Sequence, residues 1–160
     1  MINIRRGVFE TNSSSSHTIS ITFNEDCDLD DKLLPDENGM LLIAGEDFTG
    51  IEFEIAGAQS KAALIATYIR VHGDDKLMER FESVLKEYTG AKRISYDIRF
   101  FKQLNGEKAN TFYCPDIEGV YWYNENDDEL SFTDILNNKK RLAKFIFGRD
   151  NKIEGGEIYC

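Results

Sequence analysis

Hydrophobic and polar positions change period several times along this chain, and each change marks an element. Ile19, Ile21 and Phe23 alternate with Thr18, Ser20 and Thr22, so residues 18–23 predict a half-buried strand. Residues 40–44 (Met-Leu-Leu-Ile-Ala) predict a short buried strand. Residues 51–55 alternate as another, with Glu52 and Glu54 on one face. Residues 58–71 are apolar almost all round (Ala62, Ala63, Leu64, Ile65, Ala66, Tyr68, Ile69), interrupted by Lys61, Thr67 and Arg70. A helix of that pattern is buried on more than one side.

His72-Gly73-Asp74-Asp75 breaks that helix, leaving His72 as a cation at its C-terminal end and supplying an N-cap aspartate for the next. The second helix places Leu77, Met78, Phe81, Val84, Leu85 and Tyr88 on one face and ends at Gly90. Residues 93–100 alternate again, and residues 120–123 (Val-Tyr-Trp-Tyr) predict a further strand. A third helix is expected over 133–147, with Leu136, Leu142, Phe145 and Ile146 inward and Lys139, Lys140, Arg141 and Lys144 outward as a solvated basic face. A last strand spans 153–159, with a bulge or turn at Gly155-Gly156. Strands and helices are partly segregated in order. The expected fold is therefore α+β, an antiparallel or mixed sheet packed against about three helices. A chain of 160 residues suits a single globular domain, residues 1–160.

Composition narrows the function classes. Net charge is −10 and the pI about 4.7, which disfavours direct binding to nucleic acid, because that needs clustered Lys and Arg. An acidic chain more naturally meets a protein with a basic surface. Residues 24–55 concentrate eleven Asp and Glu against the single Lys32. Asp26, Asp28, Asp30 and Glu37 fall at ligand positions of a calcium-loop template. Asp31 stands where that loop needs Gly, and Pro35 lies inside it, so a solvated acidic loop is the simpler reading. Cys27, Cys114 and Cys160 are odd in number and widely spaced, which points to a reducing cytoplasm. Residues 1–6 carry no signal-peptide pattern, and no stretch has the apolar length of a membrane span. Zinc spacing and the glycine-rich nucleotide loops are absent from the sequence, so no metal or cofactor is called for.

The densest polar stretch is Arg5, Arg6, Gly7, Val8, Phe9, Glu10, Thr11, Asn12, Ser13, Ser14, Ser15, Ser16 and His17. Three readings are open. In the structural one, Asn12 and the serines form a turn that satisfies its own backbone, and His17 leads into the strand. In the second, Arg5, Arg6, the hydroxyls and free N–H groups bind a ligand or partner, cradling a phosphate or carboxylate. In the third, a serine among Ser13–Ser16 and His17 form a nucleophile and base oriented by Glu10. Tyr113, Tyr121, Trp122 and Tyr123 are a candidate hot spot rimmed by Glu125, Asp127, Asp128 and Glu129. Alternate members of a strand there are more simply core.

Phe9 to Ser15 and His17 resemble the opening of a family of uncharacterised bacterial and phage proteins, which begin with basic residues followed by Phe-Glu-Thr-Asn-Ser-Ser-Ser, one variable residue and His. Tyr88-Thr89-Gly90, the 142–147 segment and Gly155-Gly156 are similar too, whereas residues 101–129 do not align. The resemblance implies association with phages or mobile elements and carries no implication about catalysis. The expected function is therefore a phage or mobile-element accessory that binds a host macromolecule. In its sharpest form it is an acidic inhibitor of a nucleic-acid-handling defence protein. The alternatives are a small enzyme using Glu10, Ser13–Ser16 and His17 on a phosphate-containing or acyl substrate, and a virion or scaffold component.

Overall fold

The computed structural model describes residues 3–10, 15–44, 53–72, 74–96, 121–123 and 129–159. The fold is α+β. An antiparallel sheet of order β1-β2-β8-β4 is built from β1 (Asn3–Glu10), β2 (Ser15–Phe23), β8 (Lys152–Tyr159) and β4 (Phe53–Ile55). Its register puts Ile21, Ile153 and Ile55 in one cross-strand row, and all three are buried in the apolar core. This is the outcome of the period-two alternation read at residues 18–23.

One strand expectation is corrected, and two strands lie where the sequence reading placed none. Arg5, Arg6, Phe9 and Glu10, read as part of a polar motif, lie in β1, whose pairing with β2 runs unbroken from Asn3 opposite Phe23 to Glu10 opposite Ser16. The bulge or turn at Gly155-Gly156 does not occur. Gly156 pairs with Thr18, and Gly155 pairs with Ile19 on one side and Phe53 on the other. A strand paired on both sides holds the backbone extended through the glycines. A further strand, β7 (Glu129–Ser131), pairs with β6 (Tyr121–Tyr123).

β3 (Met40–Ile43) and β5 (Arg93–Tyr96) pair in parallel, so a crossover must join them. That connection contains β4 and the two predicted helices, α1 (Ala58–His72) and α2 (Asp75–Thr89). Residues 62–69 of α1 are all buried, which accounts for its all-round apolar pattern. Asp74 caps α2 by accepting the Leu77 N–H at 3.0 Å. Gly90 ends it with a φ of 72°, a left-handed value that favours glycine. Residues 97–100, expected to continue β5, fall outside the described residues.

The single helix expected over 133–147 is two helices, α3 (Phe132–Asn137) and α4 (Lys139–Phe147). Asn138 is the break. Its backbone is extended (φ −117°, ψ 116°), its N–H closes α3 on the Ile135 carbonyl, and its side chain caps α4 by accepting the Arg141 N–H at 3.1 Å. Ser131 and Asp134 form a reciprocal capping box at the start of α3. Periodicity alone runs through such a break because Leu136, Leu142, Phe145 and Ile146 stay buried on both sides of it. Phe132 joins the helices to the core, edge-on to Tyr68 (5.4 Å between centroids) and to Phe145 (5.7 Å).

Candidate functional site

The N-terminal motif is divided by the sheet. β1 carries Arg5, Arg6, Phe9 and Glu10; β2 carries Ser15, Ser16 and His17; Thr11, Asn12, Ser13 and Ser14 lie outside the described residues. Phe9 stands opposite His17 and Glu10 opposite Ser16. Directly opposed positions share a face and successive ones alternate, so positions 10 and 16 lie on one face and positions 9 and 17 on the other. On its other side, His17 is opposite Glu157, a residue the sequence reading did not connect with it. Trp122 and its neighbours Tyr121 and Tyr123 occupy β6, and Tyr113 lies outside the described residues.

The acidic segment is an anchored irregular stretch. Between β2 and β3, residues 24–39 form no helix or strand, yet they are tied down along their length. The Asn24 N–H donates to Asn151 Oδ1 at 2.7 Å, and the Asp31 N–H to the Phe147 carbonyl at 2.8 Å. Asp30 accepts the Arg149 N–H at 2.9 Å and ion-pairs with its guanidinium. The Arg149 N–H holds the Asp30 carboxyl below its usual range. Asp31 caps α1 by accepting the Ala58 N–H at 2.8 Å, and Asp36 accepts the N–H groups of Asn38 and Met40. Gly39 turns the chain into β3 with a φ of 76°.

Two residues expected on a solvated basic face are drawn into this anchoring. Arg141 pairs with Glu25, and the Lys144 ammonium donates to the Cys27 carbonyl. The acidic half is therefore not a uniform negative face. Glu25, Asp30, Asp31 and Asp36 are engaged by Arg141, by Arg149 and by backbone N–H groups, and Asp26, Asp28 and Glu37 are exposed on the same loop. Asp30, one of the positions of the calcium-loop template, is engaged by Arg149. Among the described residues, no three His, Cys, Asp or Glu side chains gather to hold a metal ion.

Beneath the loop lies a buried polar knot. Lys61, fully enclosed, donates through Nζ to the carbonyls of Gly148 (2.7 Å) and Asn151 (2.8 Å), and sits 5.8 Å from the centre of the Phe145 ring. Burial pushes its ammonium down to about 8, against the opposing pull of Asp31, Cys27, Asp30 and Asp150. Asn151, also fully buried, donates to the Lys144 carbonyl at 2.9 Å and to Cys27 Sγ at 3.2 Å. Burial raises the Cys27 thiol. The knot thus fixes the 148–151 turn, and that turn receives the loop through Asn24, Cys27 and Asp30. The sequence held one sign of it, a lysine in a helix apolar on every side, which requires a buried partner.

Beside the loop a groove of about 190 Å³ opens, of mixed polar and apolar character, lined by Leu29, Asp31, Lys32, Leu33, Leu34, Tyr88, Thr89 and Phe147. Leu34 is 81% exposed and Tyr88 42%, the latter stacked on Phe147 at 5.6 Å. The sequence reading placed Tyr88 on the buried face of α2. It instead covers Phe147 while keeping one side open to solvent.

No family model, curated protein or solved structure matches this chain. The resemblance of the N-terminal string rests on the residues quoted for it. Among the described residues, no helix is long and apolar enough to cross a membrane.

Proposed function

We propose that this chain is a non-catalytic binding protein, a phage or mobile-element accessory of the host-cell cytoplasm, whose anchored acidic loop docks on a basic surface of a host macromolecule. The observation that carries the reading is the loop itself. Irregular connections longer than about a dozen residues are uncommon in compact domains and are usually either functional or disordered. Residues 24–39 are held at Asn24, Cys27, Asp30, Asp31 and Asp36, and present Asp26, Asp28 and Glu37 to solvent. Ordering a loop before binding lowers the entropic cost of association. The net charge of −10 speeds encounter with a basic surface. A nucleic-acid-handling host protein offers such a surface, with the exposed carboxylates standing where phosphates would lie. The catalytic alternative has less support, because the register sets Glu10 opposite Ser16 rather than on the face of His17.

The test is capture from bacterial lysate on the immobilised chain, followed by titration of the recovered protein. Reversing Asp26, Asp28 and Glu37 to Lys is expected to weaken binding at least about tenfold and to flatten its salt dependence, while the melting temperature stays close to that of the parent. Saturable binding that ignores the triple reversal, or no saturable partner at all, contradicts the proposal.

A further inference from the structure

We propose that Asn38 is a self-modifying site of the acidic loop, where cyclisation onto the backbone and hydrolysis by water turn its amide into a carboxylate. The reaction needs no partner and is independent of the docking reading. Asparagine is among the chemically labile residues, and here it is followed by glycine at the end of the 24–39 segment. Asn38 is exposed, in a turn closed by local bonds alone. The Gly39 N–H donates to the Asp36 carbonyl at 2.9 Å, and Asp36 Oδ1 accepts the N–H groups of Asn38 and Met40 at 2.8 Å each. These bonds use the Asn38 backbone and leave its side-chain amide to solvent.

The nucleophile is the Gly39 backbone nitrogen, which gives its proton to solvent base, bonds to Asn38 Cγ and expels ammonia. Water then opens the five-membered imide at either carbonyl, leaving aspartate or its β-linked isomer at position 38. One water is consumed and one ammonia released. Glycine suits the step because it has no Cβ to crowd the attacking nitrogen and tolerates both signs of φ, standing here at 76°. Turning the 38–39 peptide plane toward the side chain therefore breaks one bond, from the Gly39 N–H to Asp36. The Gly39 carbonyl meanwhile keeps the Lys92 and Arg93 N–H groups, at 2.8 and 3.2 Å. One exposed backbone hydrogen bond slows the reaction by about tenfold at most relative to a free peptide. Aspartate adds one negative charge beside Asp36 and Glu37 to a chain already at −10. The isomer lengthens the backbone between the two N–H groups that Asp36 Oδ1 holds, and so disturbs the entry into β3.

The test incubates the folded full chain in mildly alkaline buffer at physiological temperature for several weeks, with samples mapped by peptide mass spectrometry. A synthetic peptide of residues 34–42 is the unstructured reference. The expected result is the mass increase of an amide-to-acid conversion, placed at residue 38 by fragmentation, at a rate within about tenfold of the peptide's. Asn105-Gly106 is the other such pair in the sequence; it lies outside the described residues and is read as a separate peptide. Asn38→Gln forms a larger ring far more slowly, so it is expected to remove the signal at residue 38 while melting as the parent does, the side chain being exposed. An Asn38 that stays intact in the folded chain while the peptide converts overturns the proposal. Conversion that appears only after the chain is unfolded in urea overturns it too.

Discussion

Gly148→Ala is expected to be among the most damaging single-methyl additions in the protein. An added Cβ at residue 148 would lie 2.4 Å from Cys27 Sγ, 2.6 Å from the Lys144 carbonyl oxygen and 2.8 Å from Asn151 Nδ2. Two of these neighbours cannot simply swing away. The Lys144 oxygen is helix backbone and accepts both the Gly148 N–H and the Asn151 amide. Cys27 sits on the anchored loop. Overpacking together with a disrupted buried hydrogen bond is expected to lower unfolding free energy by about 4 kcal/mol, a large part of a typical domain's stability. Urea denaturation at neutral pH measures it. Adding Cys27→Ala removes the closest contact and is expected to recover part of the loss, a coupling that a double-mutant cycle reads directly. A fully stable Gly148→Ala protein means that the turn and the loop do not meet as described.

The second large effect belongs to Lys61 and has a defined pH signature. Its folded-state value of about 8 lies below the 10.5 of an ordinary lysine, so between these values the unfolded chain holds a proton that the folded chain has released. Stability attributable to this group therefore rises with pH across that window. Below about 8 the penalty of burying the ammonium is fully present, and above 10.5 it is gone. The neutral amine still carries two N–H donors, one for each of the Gly148 and Asn151 carbonyls, so the geometry survives deprotonation. Relative to Lys61→Met, the parent is expected to gain up to about 3 kcal/mol between pH 8 and 10.5. Cys27 and Tyr96 act in the opposite sense above their ordinary values of 9.0 and 10.0, because burial raises both. Comparison with the Met variant largely cancels them. Lys61→Glu sets a carboxylate against two carbonyl oxygens in an enclosed site and is expected to prevent stable folding near pH 7, with a penalty of about 5 kcal/mol or more. A parent-to-Met difference that stays flat from pH 8 to 10.5 shows that Lys61 is not enclosed.

What the sequence revealed and what it concealed follow from range. α2 was legible because Asp74, Gly90 and its apolar stripe are all within a few turns of one another. The strands at 18–23 and 40–43 were legible because alternation is local. The break at Asn138 was hidden by apolar positions that keep their spacing across it. The second face of the N-terminal motif was hidden because register depends on a partner strand. The candidate site was hidden for a stronger reason. Lys61 meets Gly148 across 87 positions, Ala58 meets Asp31 across 27, and Asn151 meets Asn24 across 127. Composition showed that residues 24–39 were acidic. It could not show which acids bind backbone and which face solvent.

Amide hydrogen exchange of the 24–39 segment bears most directly on whether this loop is a rigid surface or a loose tether. With the native protein near neutral pH, the N–H groups of Asn24 and Asp31 are expected to exchange only through large-scale opening, as the α1 amides do, because their acceptors belong to the buried residues Asn151 and Phe147. Exchange of those two amides at the rate of an unstructured peptide, while α1 remains protected, contradicts the account.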